Sequence, residues 1–594
     1  MNTILARIDC LKQVMFNLHI SACVIPTNDP HMSEYVAEHW KARSYFSGFT
    51  GSAGTLVVTH DKVGLWTDSR YFLQAEQQLV GTDIILFRSG NLGIPSYSQW
   101  LEDNLEAGSV VAMHESVFSI EEMTSISKEF SRIELTLDTN TDLVSEVWIN
   151  RPTLPEGEIF VHDIIYAGET VAQKLEKVRL KLNNKRTDTI LLNALDEIAW
   201  LFNIRANDIE YNPVVIAYAA IENNSATLFV SNKKITKETE SYFNENGISI
   251  KDYSFFGAYI SSFKDKNILL DNTKINYAIY NHVCPLNKIV FATSPISKLK
   301  SIKNDTEVNG FKLAMQKDGA ALVQFFIWLE SCLKNDEKKT EILIANKLKE
   351  FRQKQENFYD ESFAPIVGYQ EHGAIIHYTA TDKTNISIEK TGFLLIDSGG
   401  HYLHGTTDIT RTINLGELSP LQKKDFTLVL KGHIALANTK FPKGTCGAQL
   451  DSIARYPLWA NELNYGHGTG HGVGCFLCVH EGPQSIRPDQ NRTILEKGMI
   501  LSNEPGIYRP GEYGIRIENL LLIREIENNS ESAFLYFETL TLFPIDISAI
   551  DGSLMLRNEI DWLNNYHQMV YDRLSPFLSA DEKNWLANKC QKLC

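Results

Sequence analysis

Five residues able to hold a cation fall in one stretch of the 594-residue chain, Asp397 to Glu518, each in apolar, strand-like surroundings. Asp397 closes Phe393-Leu394-Leu395-Ile396-Asp397. Asp408 lies in Thr407-Asp408-Ile409-Thr410-Arg411-Thr412. His471 is set in Gly466-His467-Gly468-Thr469-Gly470-His471-Gly472. Glu504 precedes Pro505-Gly506, and Glu518 follows Gly514-Ile515-Arg516-Ile517. Short apolar runs bounded by glycine read as buried strands. Asp397 and Asp408 are expected to face each other across a hairpin, with Gly399, Gly400 and Gly405 making the turns. Four carboxylates and one imidazole form an oxygen-rich donor set suited to hard divalent ions such as Mn²⁺. Two such ions repel each other, and bridging carboxylates offset the repulsion. A water shared by two ions loses its proton near neutral pH, so the set predicts metal-assisted hydrolysis. Glu504, held in direction by Pro505, is the candidate general base as well as a metal donor.

Singly, each residue has a plainer reading. An aspartate ending a strand is commonly a turn residue. Glu518 can pair with Arg516 on a surface. His467-x-x-x-His471 has helical ligand spacing, but glycines at 466, 468, 470, 472 and 474 exclude a stable helix. Those glycines could cradle a phosphate, yet no Gly-Lys-Ser/Thr or dinucleotide fingerprint follows. The five together, in this order, stand out. Three further histidines occupy special contexts: His377 after Ile375-Ile376, His467, and His480 in Val479-His480-Glu481-Gly482-Pro483. A lone histidine is commonly a satisfied core residue, but three beside the ligand set point to substrate contacts.

The length exceeds one core and implies two to four domains. A formal charge of −16 disfavours phosphate backbones, so no nucleic-acid partner is expected. No run of about 18 uncharged apolar residues occurs, and the start through Asp9 lacks a signal-peptide pattern, so no membrane partner is expected. Nine dispersed cysteines point to reduced thiols and a cytoplasmic location. Cys475-x-x-Cys478 has no second half to complete a zinc site. Its intervening Phe476-Leu477 predicts a buried strand.

The pattern divides the chain into 1–150, 159–303 and 304–594. The first reads as α/β, with strands near 21–26, 54–59, 63–67 and 110–113 and a helix over 70–79. Arg151-Pro152-Thr153-Leu154-Pro155-Glu156-Gly157 suits a linker. Beyond it, a helix over 169–185 and a strand over 191–195 are expected. Ala226 to Lys234 repeats the pattern of Gly54 to Lys62, an apolar strand and then a polar turn with lysine, which predicts a second copy of the first domain. The third region starts a long helix at Asp305-Thr306. Further helices are expected over 341–355, from Ser419-Pro420-Leu421-Gln422 and over 448–463, with ligand-bearing strands between them. Helices on one face of a largely antiparallel sheet make an α+β catalytic domain. A helical, aromatic tail begins near 545.

These motifs resemble aminopeptidase P, the Xaa-Pro aminopeptidases of peptidase family M24, in the long three-domain form. The resemblance rests on Gly373–Tyr378, Asp397 with Asp408, His467–Gly474, Val479–Pro483, Asn503–Gly506 and Arg516–Asn519. It extends through Ser47–Thr55 and Trp66–Phe72 at the start and through Glu559–Asn564 and Tyr566-His567 near the end. It implies two creatinase-like N-terminal domains, then a pita-bread catalytic domain with a helical C-terminal extension. It implies release of the first residue from short peptides with proline second. Asp397, Asp408, His471, Glu504 and Glu518 would hold two divalent metals, usually manganese, with cobalt and zinc as alternatives. Asp408 and Glu518 would bridge, and Glu504 would activate the bridging water to hydroxide. His377 and His480 would hold substrate and stabilise the tetrahedral intermediate. His467 would line the proline side, and Arg516 would support the ligands. Arg70 would reach a substrate pocket, across a homodimer. One departure is Gly368-Tyr369-Gln370-Glu371-His372-Gly373, where the family more often has Pro-Asn before the glycine. A prolidase shares the five ligands in a shorter chain. A metal-free pita-bread binding or scaffold protein typically lacks some of them.

Overall fold

The computed structural model describes residues 3–526 and 533–594. The chain forms two compact units, Met1–His162 with Glu169–Ser297 and Asp163–Gly168 with Lys298–Cys594.

The first unit holds two six-stranded sheets. In the first sheet the strands are β1 (Ala22–Pro26), β2 (Thr55–Thr59), β3 (Val63–Thr67), β4 (Ile85–Arg88), β5 (Val110–Ala112) and β6 (Thr136–Asp138). Their order is β4-β3-β2-β1-β5-β6. In the second they are β7 (Thr189–Leu192), β8 (Ala217–Glu222), β9 (Ala226–Val230), β10 (Ile248–Lys251), β11 (Asn267–Leu270) and β12 (Lys288–Phe291), in the order β10-β9-β8-β7-β11-β12. In both, three central strands run antiparallel and the outer strands join in parallel. Strands β1, β3, β7 and β9 are buried at every position, hence their unbroken apolar runs.

The expected duplication is present, but the matched strands are not equivalents. By position in the sheet, Ala226–Val230 corresponds to Val63–Thr67, and Thr55–Thr59 corresponds to Ala217–Glu222. After Thr59 the chain reverses into the adjacent antiparallel strand. After Val230 it passes through the helix Lys237–Glu245 to a parallel strand. The two turns share lysines and differ in what they connect. The strand expected over 191–195 ends at Leu192, and a helix takes over at Leu195. Asn193, at that break, offers its carbonyl to His31 Nδ1 at 2.8 Å.

The longest helix of the second unit among the described residues is Asp305–Lys334, of 30 residues. Its cap is Asn304, one residue before the expected start. Asn304 Oδ1 accepts Glu307 N at 2.9 Å and Glu307 Oε2 accepts Asn304 N at 3.0 Å. The same box, with proline at the first helical position, starts Pro420–Ala437 from Ser419. The helices Glu341–Arg352 and Gly447–Trp459 end three and four residues before the expected limits. Phe311, Phe325 and Leu329 of the long helix share one apolar core with Leu394, Ile396, Leu520 and Leu522 of the strands. Each such side chain buried contributes about 1.5–3 kcal/mol. One sheet pairs Ile366–Tyr369, Phe393–Ser398 and Ile409–Asn414; a six-stranded one includes Gly470–Gly472, Glu481–Ile486, Ile500–Asn503 and Asn519–Glu525. All their pairings are antiparallel.

Two local expectations are corrected here. Gly400 and Gly405 do not make turns: they lie in the strands Gly400–Tyr402 and Gly405–Thr406, a side hairpin inserted between the two aspartates. Cys475–Cys478 is a tight turn and not a strand, with Phe476 at φ +48° and buried. The tail forms the helices Arg557–Leu574 and Ala580–Lys589. Among the described residues no helix is long and apolar enough to cross a membrane.

Candidate metal centre

Three of the four carboxylates sit where one strand stops and the next begins. Asp408 precedes Ile409–Asn414, Glu504 separates Ile500–Asn503 from Gly506–Arg509, and Glu518 separates Tyr513–Arg516 from Asn519–Glu525. At such a break the backbone leaves the ladder and the side chain can turn inward. Asp397 is held within its strand, opposite Thr410. Register places Asn503 beside Asn519, so Glu504 and Glu518 flank one cross-strand pair. His471 belongs to the short strand Gly470–Gly472, whose glycines allow close approach: a Cβ at Gly470 would lie 2.0 Å from Ser502 O.

The five side chains converge. One donor atom each from Asp408, His471 and Glu518 lie within 4.8 Å of one another. His471 Nε2 stands 3.5 Å from both Asp408 Oδ2 and Glu504 Oε1. Its Nδ1 donates to Gly472 O at 2.9 Å, which leaves Nε2 free of a proton when the ring is neutral. Arg516 Nη2 donates to Asp397 Oδ2 at 2.6 Å, and Thr410 Oγ1 donates to Glu518 Oε2 at 2.7 Å. Asp397 Oδ1 is buried without a hydrogen-bond partner.

The electrostatics fit a cation site. Burial pushes Glu504 up to about 7; His471 and Arg516 oppose the shift, and Asp408 and Asp397 reinforce it. Burial and then Asp408, Glu504 and Asp397 push Glu518 well above the carboxylate range. Burial also raises Asp397, against Arg516. Burial disfavours a charged His471, but Asp408 and Glu504 outweigh it and lift the ring to about 9. Burial and crowding disfavour negative charge on Asp397, Glu504 and Glu518, and added positive charge would relieve this. The oxygen-rich donors and the unpaired Asp397 oxygen suit divalent ions.

The chain aligns with a plant protein from Arabidopsis thaliana, "Aminopeptidase P2", at 42% identity over 612 residues, covering 97% of this chain and 86% of that one. The chain belongs to the aminopeptidase P family. The model of metallopeptidase family M24 matches residues 309–525, and that of the C-terminal region of peptidase M24 matches 533–593. Creatinase/prolidase N-terminal domain models match 7–142 and 150–307, one for each six-stranded sheet. A "Probable Xaa-Pro aminopeptidase P" of Botryotinia fuckeliana is 39% identical, covering 99% of this chain and 92% of that protein. The crystal structure of the X-prolyl aminopeptidase from Caenorhabditis elegans superposes with a TM-score of 0.95 at 34% identity over 100% of both chains. This protein is therefore a metallopeptidase built as the aminopeptidase P family is built, with creatinase-like N-terminal domains and a pita-bread catalytic domain.

The remaining predicted residues fall into two groups. His467 and His480 adjoin the cluster: the His480 ring centroid is 4.4 Å from that of His471, and His467 Nδ1 is 3.9 Å from Glu504 Oε2. His377 sits in a turn just after Ile376, whose carbonyl is 3.5 Å from Arg516 Nη2. Arg70 lies in the first compact unit, paired with Asp68 through Nε at 2.9 Å and Nη2 at 2.8 Å.

Several positioning groups escaped the sequence reading. Tyr508 OH accepts from Arg516 Nη1 at 2.8 Å and bonds His467 Nε2 at 2.8 Å. Glu341 is fully buried and gathers Tyr369 N at 3.0 Å, His372 Nδ1 at 2.8 Å and Tyr378 OH at 2.9 Å around the His377 turn. His372, the departure from the family pattern, is thus one arm of that clamp. Asp451 accepts Thr469 Oγ1 at 2.6 Å and Arg455 donates to His467 O at 2.6 Å, so one helix fixes the glycine-rich loop. None of these has a local motif; Tyr508, three residues after Pro505, was the most accessible to a reading by proximity.

Proposed function

We propose that this protein is an Xaa-Pro aminopeptidase that releases the first residue of short peptides with proline in second position. What carries the reading is the full-length likeness to the X-prolyl aminopeptidase from Caenorhabditis elegans, described as a cytosolic enzyme with a di-nuclear active site. The crowded carboxylates around His471 support it independently.

In this reading Asp397, Asp408, His471, Glu504 and Glu518 hold two divalent ions, with Mn²⁺ the first choice and Co²⁺ or Zn²⁺ acceptable to the same donors. Bound ions supply Lewis acidity and lower the pKa of water. Glu504 takes the proton from the attacking water. His377 and His480 hold the substrate and steady the oxygen that becomes negative in the tetrahedral intermediate. His467, bonded to Tyr508, lines the proline side. Arg516 keeps Asp397 aligned. Arg70 contributes to substrate binding within a homodimer, and the enzyme works in the cytoplasm. The domains run 1–150, 159–303 and 304–594, with the C-terminal extension from about 545.

The experiment is hydrolysis of a matched pair, Xaa-Pro-Yaa against Xaa-Ala-Yaa, with metal content measured on the same sample. The expected result is metal-dependent release of the first residue from the proline peptide alone. Cleavage of Xaa-Pro dipeptides but not of the tripeptide would assign the chain to prolidase chemistry.

A further inference from the structure

The C-terminal extension reaches the frame of the candidate metal centre through Tyr566, with Trp562 of the same helix packed edge-on against His433 at 5.9 Å between ring centroids. In the helix Arg557–Leu574, Ile560, Leu563, Tyr566, His567, Val570 and Leu574 are buried at three- and four-residue spacing. Most of that face is apolar, and Tyr566 carries a hydroxyl into it. Tyr566 OH accepts from Arg411 Nη2 at 2.8 Å and gives its own proton to Phe543 O at 2.8 Å.

Arg411 is buried, and its partners are carbonyls, an amide and this phenol. Nε donates to Pro544 O at 3.1 Å. Nη1 donates to Thr410 O at 2.9 Å and to Glu518 O at 2.6 Å. Nη2 is shared among Tyr566, Phe543 O at 2.7 Å and Asn519 Oδ1 at 2.8 Å. The backbone N of Glu518 donates to Thr410 O at 3.1 Å, and the Thr410 hydroxyl holds the Glu518 carboxylate. Asn519 Nδ2 lies 3.1 Å from His433 Nε2, and His433 Nδ1 lies 3.1 Å from Asn503 O, beside Glu504. One guanidinium therefore ties the segments bearing Asp408, Glu518 and, through His433, Glu504 to the extension. A buried arginine keeps one geometry while acceptors from several segments hold its planar fork, and the Tyr566 phenol is the acceptor around Nη2 that the extension supplies.

We propose that Tyr566 is a positioning residue for the metal centre: by holding Arg411 it fixes Glu518 at the break between its two strands. The extension is then part of the frame of the active site. This inference rests on the reading of the carboxylate cluster as a two-metal site.

The test is titration of Mn²⁺ alone into the chelator-treated full-length chain, followed by calorimetry, for the wild type, Tyr566→Phe, Arg411→Lys and Asn564→Ala. Tyr566→Phe keeps the ring and loses only the hydroxyl. Arg411→Lys keeps the buried charge and loses the fork. Asn564→Ala breaks the contacts of the extension with Leu593, at 2.9 Å, without touching Arg411. The expected result is Mn²⁺ affinity weakened about 10-fold in the first two variants and unchanged in the third. The peptide KM should stay within about twofold while kcat falls. Wild-type Mn²⁺ affinity in folded Tyr566→Phe, or in Arg411→Lys should the former not fold, would overturn the inference whatever the melting temperature does. A wild-type chain that binds no Mn²⁺ would instead fail the underlying two-metal reading, and this inference with it.

Discussion

Arg516 donates to Asp397 at 2.6 Å across 119 residues of chain, and the same guanidinium reaches Thr410 Oγ1 at 3.1 Å and Tyr508 OH at 2.8 Å. It aligns one carboxylate directly, another through Thr410, and His467 through Tyr508. Lysine keeps the charge, but its single nitrogen cannot span the three acceptors that Nε, Nη1 and Nη2 reach separately. Arg516→Lys should lower kcat/KM by about 10–100-fold, measured by steady-state kinetics on a proline peptide. A loss under twofold would mean that the three contacts do not act on the site.

A second prediction concerns acid stability. His31 is buried in the first unit, with Nδ1 on Asn193 O at 2.8 Å and Nε2 on Tyr253 OH at 2.9 Å. Burial, with a smaller contribution from Lys234, holds its pKa down at about 3, against the carbonyl of Asn193. The unfolded chain takes a proton on this ring below about pH 6.5 and the folded chain does not until about 3, so its stability contribution falls as pH drops through that window. Between pH 7.5 and pH 5 the loss from His31 alone is about 2 kcal/mol. Asp29, raised to about 6 by burial, works in the opposite direction and is common to both proteins compared. Denaturant unfolding of the wild type and His31→Gln at both pH values should show a steeper acid loss in the wild type. Parallel losses would contradict the assignment.

Close backbone packing makes a third prediction. A Cβ at Gly470 would meet Ser502 O at 2.0 Å, between the strand of His471 and the strand that leads to Glu504. Gly552, with nothing near its Cβ position, is the control. Gly470→Ala should cost about 1–3 kcal/mol by thermal or denaturant unfolding and weaken metal binding. Gly552→Ala should do neither.

Metal removal should be visible in stability as well as in activity. Ions that bind only the folded chain add about 2.7 kcal/mol at 100 times their dissociation constant. Chelator-treated protein should melt lower than the untreated protein, and added Mn²⁺ should restore both melting temperature and turnover. An unchanged melting temperature would argue against a cation in the carboxylate cluster.

What was legible in the sequence divides along physical lines. The five candidate ligands were readable because each lies in a short local context, such as Asn503-Glu504-Pro505-Gly506, that survives without knowledge of its neighbours. The second sheet was foreseen from Ala226–Val230, yet it was aligned to the wrong strand. An apolar strand followed by a lysine turn records burial and reversal, not position in a sheet. Glycine proved ambiguous: Gly400 and Gly405 looked like turn residues and are strand residues, while the glycines around His471 do serve close approach. Glu341 and His433 bond partners distant in sequence, and Arg411 and Tyr566, though they lie in readable motifs, meet each other across 155 residues, a pairing that no local pattern discloses.

The proposed role of Glu504 as the base decides how the carboxylate cluster would work. The variant to make is Glu504→Gln, assayed on the proline peptide alongside its melting temperature. Loss of a general base of this kind should lower kcat by about 10³-fold or more while the chain stays folded at the assay temperature. Wild-type kinetics in a folded, metal-loaded Glu504→Gln would rule Glu504 out as the base.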